Sequence, residues 1–176
     1  MAHRDEIVAY ANELLEIHRF PEYGPPGLQV LGGDDVTKIA CGVSASLELF
    51  RRAAAAGAQL LVVHHGIFWR NEPLVIDPRQ RGRLEALFAS DLTLVAYHLA
   101  LDAHPAIGNN ALLANALDVE VERPFADVGQ GGRLREPAGI DELVRRVGEI
   151  VGDREPLVFA HGPDEIRRVA LCSGGA

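Results

Sequence analysis

Two adjacent histidines, His64 and His65, follow a short apolar segment and precede Gly66. Neutral imidazoles are preferred ligands of zinc, iron and nickel, so this pair is a candidate for metal binding. Side chains that follow each other along a strand start on opposite faces, so a turn at the strand end is needed to bring both into one cleft. The pair would then suit two neighbouring ions better than one. The alternative is a pair of exposed or hydrogen-bonded histidines at a strand terminus.

A second group of polar side chains follows the next apolar segment, residues 92–97. Asp102 would bring a carboxylate to the same edge, and a carboxylate with imidazoles is a common ligand set of catalytic metals. His64, His65 and Asp102 are therefore candidate metal ligands. His98 is the predicted catalytic residue, as a proton donor or acceptor or as a group that orients a ligand. The alternative for His98 is a hydrogen-bonded core histidine.

Of three further residues near these groups, Trp69 and Asn110 have two interpretations each and His104 has one. Trp69 is either a stacking platform for a base or a packing aromatic, and packing is favoured. The run at residues 108–110 predicts a turn and a helix N-cap, which is favoured over a substrate contact by Asn110. His104, next to Pro105, is interpreted as a loop histidine.

The elements that must position these side chains alternate between strands and helices. Apolar spacing predicts helices over residues 4–17, 46–56, 83–90 and 110–117, and strands over residues 38–43, 60–63 and 92–97. Ser44 or Ser46 is expected to cap the second helix, and Gly57 to end it. This alternation predicts an α/β fold with parallel strands, whose sites lie beyond the carboxyl ends of the strands.

The pattern changes between residues 124 and 137, where glycines and prolines predict a linker or a hairpin. We therefore predict an N-terminal α/β domain over residues 1–123, with most of the metal site, and the start of a second over residues 124–176. Within the second, residues 140–151 predict a helix, and residues 157–160 and 168–172 predict strands. No helix follows to cover the last strand, so this domain is expected to be incomplete.

The composition excludes some classes of partner. The net charge is −8 and Lys and Arg do not cluster, so no nucleic-acid partner is expected. A small anionic ligand is compatible with this negative net charge, because a bound metal ion reverses the sign of the local electrostatic potential. No apolar stretch approaches the ~20 residues of a membrane span, and the N-terminus lacks an apolar signal segment. We therefore expect a cytoplasmic protein without membrane contact.

Taken in order, these motifs resemble the NIF-three-like family, also known as GTP cyclohydrolase 1 type 2 homologues or dinuclear-metal-centre hexameric proteins. The motifs are GLQV at residues 27–30, GVSAS at 42–46, VHHG at 63–66 with FW at 68–69, and the stretch from His98 through Asp102 to Asn110. The resemblance implies two related α/β domains with mainly parallel sheets covered by helices, a homohexameric ring and two divalent ions per complete subunit. The ions would be zinc, iron, manganese or nickel.

By position, the resemblance implies that His64 and His65 bind different ions and that Asp102 shares an ion with one of them. The family completes its site with a His-x-x-x-Glu segment near its C-terminus, and the resemblance assigns none of these 176 residues to that segment. Two function classes follow. The favoured hypothesis is a metal-dependent hydrolase of a nucleotide or another phosphorylated small molecule, since two close ions can activate water and hold both reacting oxygens. The alternative is a non-catalytic metal-binding ring that acts as a regulatory or interaction scaffold.

Overall fold

A four-stranded sheet forms the framework of the first unit, Met1–Ala100. The structure is a computed structural model that describes residues 1–152 and 156–174. The strands of this unit are β1 (Ala2–His3), β2 (Gly27–Val30), β3 (Asp35–Val36), β4 (Ile39–Ser44), β5 (Leu60–His65) and β6 (Thr93–Ala96). The sheet order is β2-β6-β5-β4, while β1 and β3 form a separate pair. β4, β5 and β6 are parallel and β2 is antiparallel to β6. The carboxyl ends of three strands therefore meet at one edge, where sites of α/β proteins form.

The helices of this unit begin at side-chain caps. They are α1 (Arg4–Leu14), α2 (Leu47–Ala55) and α3 (Pro78–Ala89). Ser46 rather than Ser44 caps α2, since its side chain accepts a hydrogen bond from the Leu49 N–H. Asp77 caps α3 in the same way, with proline at the first helical position. These two signals explain why α3 begins at Pro78 rather than at the predicted residue 83.

The core of the first unit lies where α2 and α3 pack on the sheet. Phe50 of α2 and Leu87 of α3 are buried against apolar side chains of the two central strands. All four residues of β6 are buried, as predicted for a strand covered on both faces. Tyr97, directly after β6, is also buried, and its hydroxyl donates a hydrogen bond to the Asn12 side chain. Burial raises the pKa of Tyr97 to about 12, so its hydroxyl keeps its proton at neutral pH.

The second unit, Leu101–Ala176, has an antiparallel sheet of order β7-β8-β9. The remaining elements are α4 (Leu99–Ala103), α5 (Asn109–Ala116), β7 (Val119–Phe125), β8 (Gly129–Ala138), α6 (Ile140–Val151) and β9 (Ile166–Leu171). The expected α/β class is confirmed, but the parallel arrangement is wrong for this sheet. Only residues 126–128 join β7 to β8, and so short a connection permits only an antiparallel pair. The hairpin alternative is therefore the observed one.

Two predicted boundaries differ from the observed elements. The domain boundary predicted between residues 123 and 124 falls inside β7. The strand predicted over residues 157–160 does not form, and those residues are irregular. β8 is paired with β7 on one side and β9 on the other, which leaves it no edge for a further strand.

None of the described helices is both long and apolar enough to cross a membrane.

Asn110 connects three segments of the second unit from a fully buried position. Its side-chain amide donates to the carbonyls of Asp102 and Val128, and its Oδ1 accepts a hydrogen bond from the Ser173 N–H at 2.7 Å. Gly108 is the N-cap of α5, so the predicted turn and cap are present. The buried contacts of Asn110 assign it a structural role rather than contact with a substrate.

We expect Asn110→Ala to lower the free energy of unfolding by about 2–4 kcal/mol, because it leaves buried backbone groups without partners. Asn115→Ala is the matched control, since Asn115 is exposed on the same helix and its removal should change stability by less than about 0.5 kcal/mol. Urea titrations followed by circular dichroism measure both. Equal shifts in the two variants would contradict the structural role of Asn110.

Candidate metal centre

Three histidines of the first unit form one cluster at the carboxyl edge of its sheet. One ring nitrogen from each of His64, His65 and His98 lies within 4.8 Å of the others. The His64 ring centroid is 4.6 Å from that of His65 and 4.9 Å from that of His98. His64 and His65 are the last two residues of β5 rather than the residues that follow it. Their rings nevertheless share a cluster, as the sequence predicted for a pair in one cleft.

The neighbouring strands hold the first two histidines through their Nδ1 atoms. Ser44 is the register partner of His65, and its hydroxyl oxygen lies 3.0 Å from His65 Nδ1. The Tyr97 N–H donates to the Val63 carbonyl, and the Tyr97 carbonyl in turn lies 3.0 Å from His64 Nδ1. A carbonyl can only accept, so neutral His64 carries its proton on Nδ1. That tautomer assigns Nε2 as the nitrogen that can coordinate a metal.

The turn after the histidine pair is held by Gln29. Its Oε1 accepts a hydrogen bond from the Ile67 N–H at 2.8 Å, and its Nε2 donates to the Pro25 carbonyl. A Cβ atom at Gly66 would lie 2.2 Å from Gln29 Oε1, well inside contact distance. A side chain at position 66 would therefore displace this amide from its hydrogen bond to the Ile67 N–H. The GLQV and VHHG motifs are thus in direct contact at the site.

His98 follows β6 and packs against Trp69. The two rings meet edge-on at 86°, with their centroids 5.3 Å apart. The indole N–H of Trp69 donates to the Gly66 carbonyl at 3.1 Å, which fixes the ring beside the cluster. Trp69 therefore has the contacts of a packing residue within the site wall.

A fourth residue, Glu22, joins the site without any signal in the sequence. Its side chain is only 4% exposed, and one carboxylate oxygen lies 3.5 Å from His98 Nδ1. The other oxygen accepts a hydrogen bond from the Ala100 N–H at 3.0 Å. Glu22 comes from the Pro- and Gly-rich loop before β2, and nothing in its local pattern distinguishes it from a solvated glutamate.

Asp102 belongs to the second unit, where it lies in α4 and is 3% exposed. Its Oδ1 accepts hydrogen bonds from the Asn109 amide at 2.6 Å and from the Ser173 hydroxyl at 3.3 Å. The short helix around it was not predicted. His104 caps its own loop, since its Nδ1 accepts hydrogen bonds from the N–H groups of Ala106 and Ile107, which agrees with the predicted loop role.

The donors present in the first unit fit a divalent transition metal. A cavity of about 10 Å³ is lined by His64, His98 and Glu22 among others, roughly the space that one water or ion needs. Nitrogens around a tetrahedral zinc ion at ~2.1 Å lie about 3.4 Å apart. The separations here, at most 4.8 Å, are compatible with ligands of one ion or of two ions ~3.5–4 Å apart.

Comparison with known proteins decides the family. The profile of the family Duf34/NIF3 (NGG1p interacting factor 3) matches residues 2–176. The chain belongs to this family. A relative from Pseudomonas aeruginosa is 43% identical over 176 residues, which cover 97% of this chain and 69% of the relative. A relative from Yersinia pestis is 39% identical over 170 residues, with the same two coverages. Both carry the name GTP cyclohydrolase 1 type 2 homolog.

Solved structures of Duf34/NIF3 relatives share the fold. Protein ybgI, a protein of unknown function, superposes with a TM-score of 0.93 at 40% identity, over 98% of this chain and 70% of ybgI. TTHA1606 from Thermus thermophilus superposes with a TM-score of 0.89 at 37% identity, over 98% and 71% of the two chains. HcgD from Methanocaldococcus jannaschii, at 21% identity and a TM-score of 0.79, shows the fold alone.

We expect His64→Ala to reduce the divalent metal that copurifies with the protein, because it removes an imidazole whose tautomer the Tyr97 carbonyl sets. His104→Ala is the matched control, since that histidine caps a loop, and it should keep wild-type occupancy. Elemental analysis of the purified full-length proteins measures both. Wild-type metal content in His64→Ala would remove His64 from the ligand set.

Proposed function

We propose that this Duf34/NIF3 protein is a metal-dependent hydrolase of a phosphorylated small molecule, such as a nucleotide. The observation that carries the proposal is the cluster of His64, His65 and His98 at the carboxyl edge of the sheet. Imidazoles fixed through Nδ1 are the usual ligands of catalytic zinc and related ions. The reaction class agrees with the name that curated relatives carry, GTP cyclohydrolase 1 type 2 homolog.

In this proposal His64, His65 and Asp102 are the metal ligands, and His98 is the catalytic residue. The complete subunit would hold two divalent ions, with His64 and His65 on different ones. Their side chains leave adjacent positions of one strand, which supports this division. Such ions supply Lewis-acid chemistry to a reacting phosphoryl or ring carbon centre. The hydrogen bonds on Asp102 Oδ1 would hold that carboxylate in one orientation.

A groove beside the cluster supports an anionic substrate. Its volume is about 390 Å³, within the range of small-molecule sites, and its lining includes His65, His98, Arg79 and Arg83. The Arg79 guanidinium is held by Glu72 at 3.0 Å and is near Asp77, and the Glu72 hydrogen bond raises the pKa of Arg79. Its charge is therefore largely compensated.

Arg83 is the cation that the groove offers to a ligand. It is half-buried, and among the described residues no carboxylate lies within ion-pair distance of its guanidinium. Arginine presents a planar set of donors that matches phosphate oxygens. In a chain of net charge −8, this local excess of positive charge beside the histidines favours a phosphoryl group there.

The full-length protein should hydrolyse at least one member of a panel of nucleotides and phosphomonoesters only when loaded with metal. Chelation should abolish product formation, and re-addition of zinc or manganese should restore it, because the ions would activate the attacking water and polarise the reacting group. Product release is followed by chromatography and phosphate detection. Metal-dependent assembly without turnover of any panel member would favour the scaffold function instead.

We expect Arg83→Ala to weaken binding of inorganic phosphate by about tenfold or more, because a hydrogen bond to a charged group contributes roughly 1.5–3 kcal/mol. The fluorescence of Trp69, the single tryptophan of the 176 residues and part of the groove wall, reports the binding. Arg81→Ala is the matched control, since Arg81 is exposed on the same helix and is paired with Glu85. Equal weakening in both variants would indicate a general charge effect and no phosphoryl site at Arg83.

A further inference from the structure

Glu22 is a buried carboxylate that faces the catalytic candidate rather than solvent. Its side chain is 4% exposed, whereas burial of a carboxylate is costly unless polar groups compensate it. One oxygen is compensated by the Ala100 N–H at 3.0 Å. The second oxygen lies 3.5 Å from His98 Nδ1. Within the described residues, these two groups account for both oxygens of Glu22.

The chemistry of this pair dictates where His98 carries its proton. His98 Nδ1 is buried and, among the described residues, no atom meets full hydrogen-bond geometry with it. Glu22 is the polar group beside it, and a shift of a few tenths of an ångström would close the bond. An ionised carboxylate can only accept, so the bond requires a proton on Nδ1. Neutral His98 is then unprotonated at Nε2.

We propose that Glu22 is a positioning residue that fixes His98 in the Nδ1–H tautomer and so makes its Nε2 the proton acceptor of the site. The assignment of the His98 tautomer is independent of the reaction, whereas the role of Nε2 as proton acceptor rests on the proposed hydrolase function. The attacking water loses one proton to His98 Nε2 while its oxygen forms the new bond to the substrate. The scissile bond then breaks, and the leaving oxygen takes that proton from Nε2. His98 ends each cycle as it began, and the Glu22 carboxylate keeps the ring oriented throughout.

Glu22→Gln tests the tautomer with almost no change of shape. The amide keeps an oxygen for the Ala100 N–H and places an NH₂ group opposite His98 Nδ1, which must then accept. Long-range ¹H–¹⁵N spectra of metal-free, ¹⁵N-histidine-labelled full-length protein distinguish the two tautomers. We expect His98 to carry its proton on Nδ1 in the wild type and on Nε2 in the variant. His64 should stay protonated on Nδ1 in both, since its partner is a backbone carbonyl.

A wild-type His98 protonated on Nε2 would overturn the proposal even if the variant did not fold.

The second readout is turnover by the metal-loaded protein. We expect Glu22→Gln to lower kcat by about 100-fold or more at unchanged metal content, in the range of general acid–base catalysis. Glu85→Gln, on the exposed face of α3, is the control and should keep wild-type kcat. An unchanged kcat with a switched tautomer would overturn the role of His98 as proton acceptor. A wild-type protein without turnover but with the expected tautomers would refute the hydrolase function and leave the positioning role of Glu22 intact.

Discussion

Strand β5 is hydrogen-bonded in parallel to β4 on one side and to β6 on the other, and the geometry of the histidine cluster depends on this pairing. The register with β4 sets Ser44 beside His65, and the register with β6 sets Tyr97 beside His64. Because α2 and α3 pack on the apolar side chains of the sheet, a slip of register would expose those side chains. The core thus fixes the positions of the imidazoles as well as the stability of the unit.

The side chain of Gln29 limits which residues fit at position 66, directly after β5. Gln29 reaches from β2 to the Ile67 N–H across the place where a side chain at position 66 would lie. The antiparallel β2 lies beside β6 rather than β5, so the long amide is needed to span to the turn. A single glutamine therefore ties the edge strand to the turn that ends the histidine pair. This contact gives a physical reason for glycine after the two histidines and for glutamine in the GLQV segment.

Sequence reasoning located side chains of the cluster best where they lie at the boundary of a strand. The histidine pair and His98 could be found because each lies at the end of a buried apolar strand, where parallel sheets form their sites. Glu22 could not be found, because its burial results from contacts with residues far away in the chain. The strand expected over residues 157–160 failed for a related reason. Its apolar residues predict a strand locally, but a strand forms only where it pairs with a neighbouring strand, and the local sequence does not determine that pairing.

The three Nδ1 partners of the cluster differ in kind, and this difference has chemical consequences. His64 Nδ1 meets a backbone carbonyl, and His65 Nδ1 meets a hydroxyl. His98 Nδ1 lies beside a carboxylate. Imidazoles that bind a metal must stay neutral, whereas an imidazole that accepts a proton during a reaction must become charged. A backbone carbonyl can only accept and so requires the Nδ1 proton on His64, whereas a hydroxyl can donate or accept and is compatible with either tautomer of His65. The Glu22 carboxylate, like the carbonyl, only accepts, so a bond to it requires the Nδ1 proton on His98.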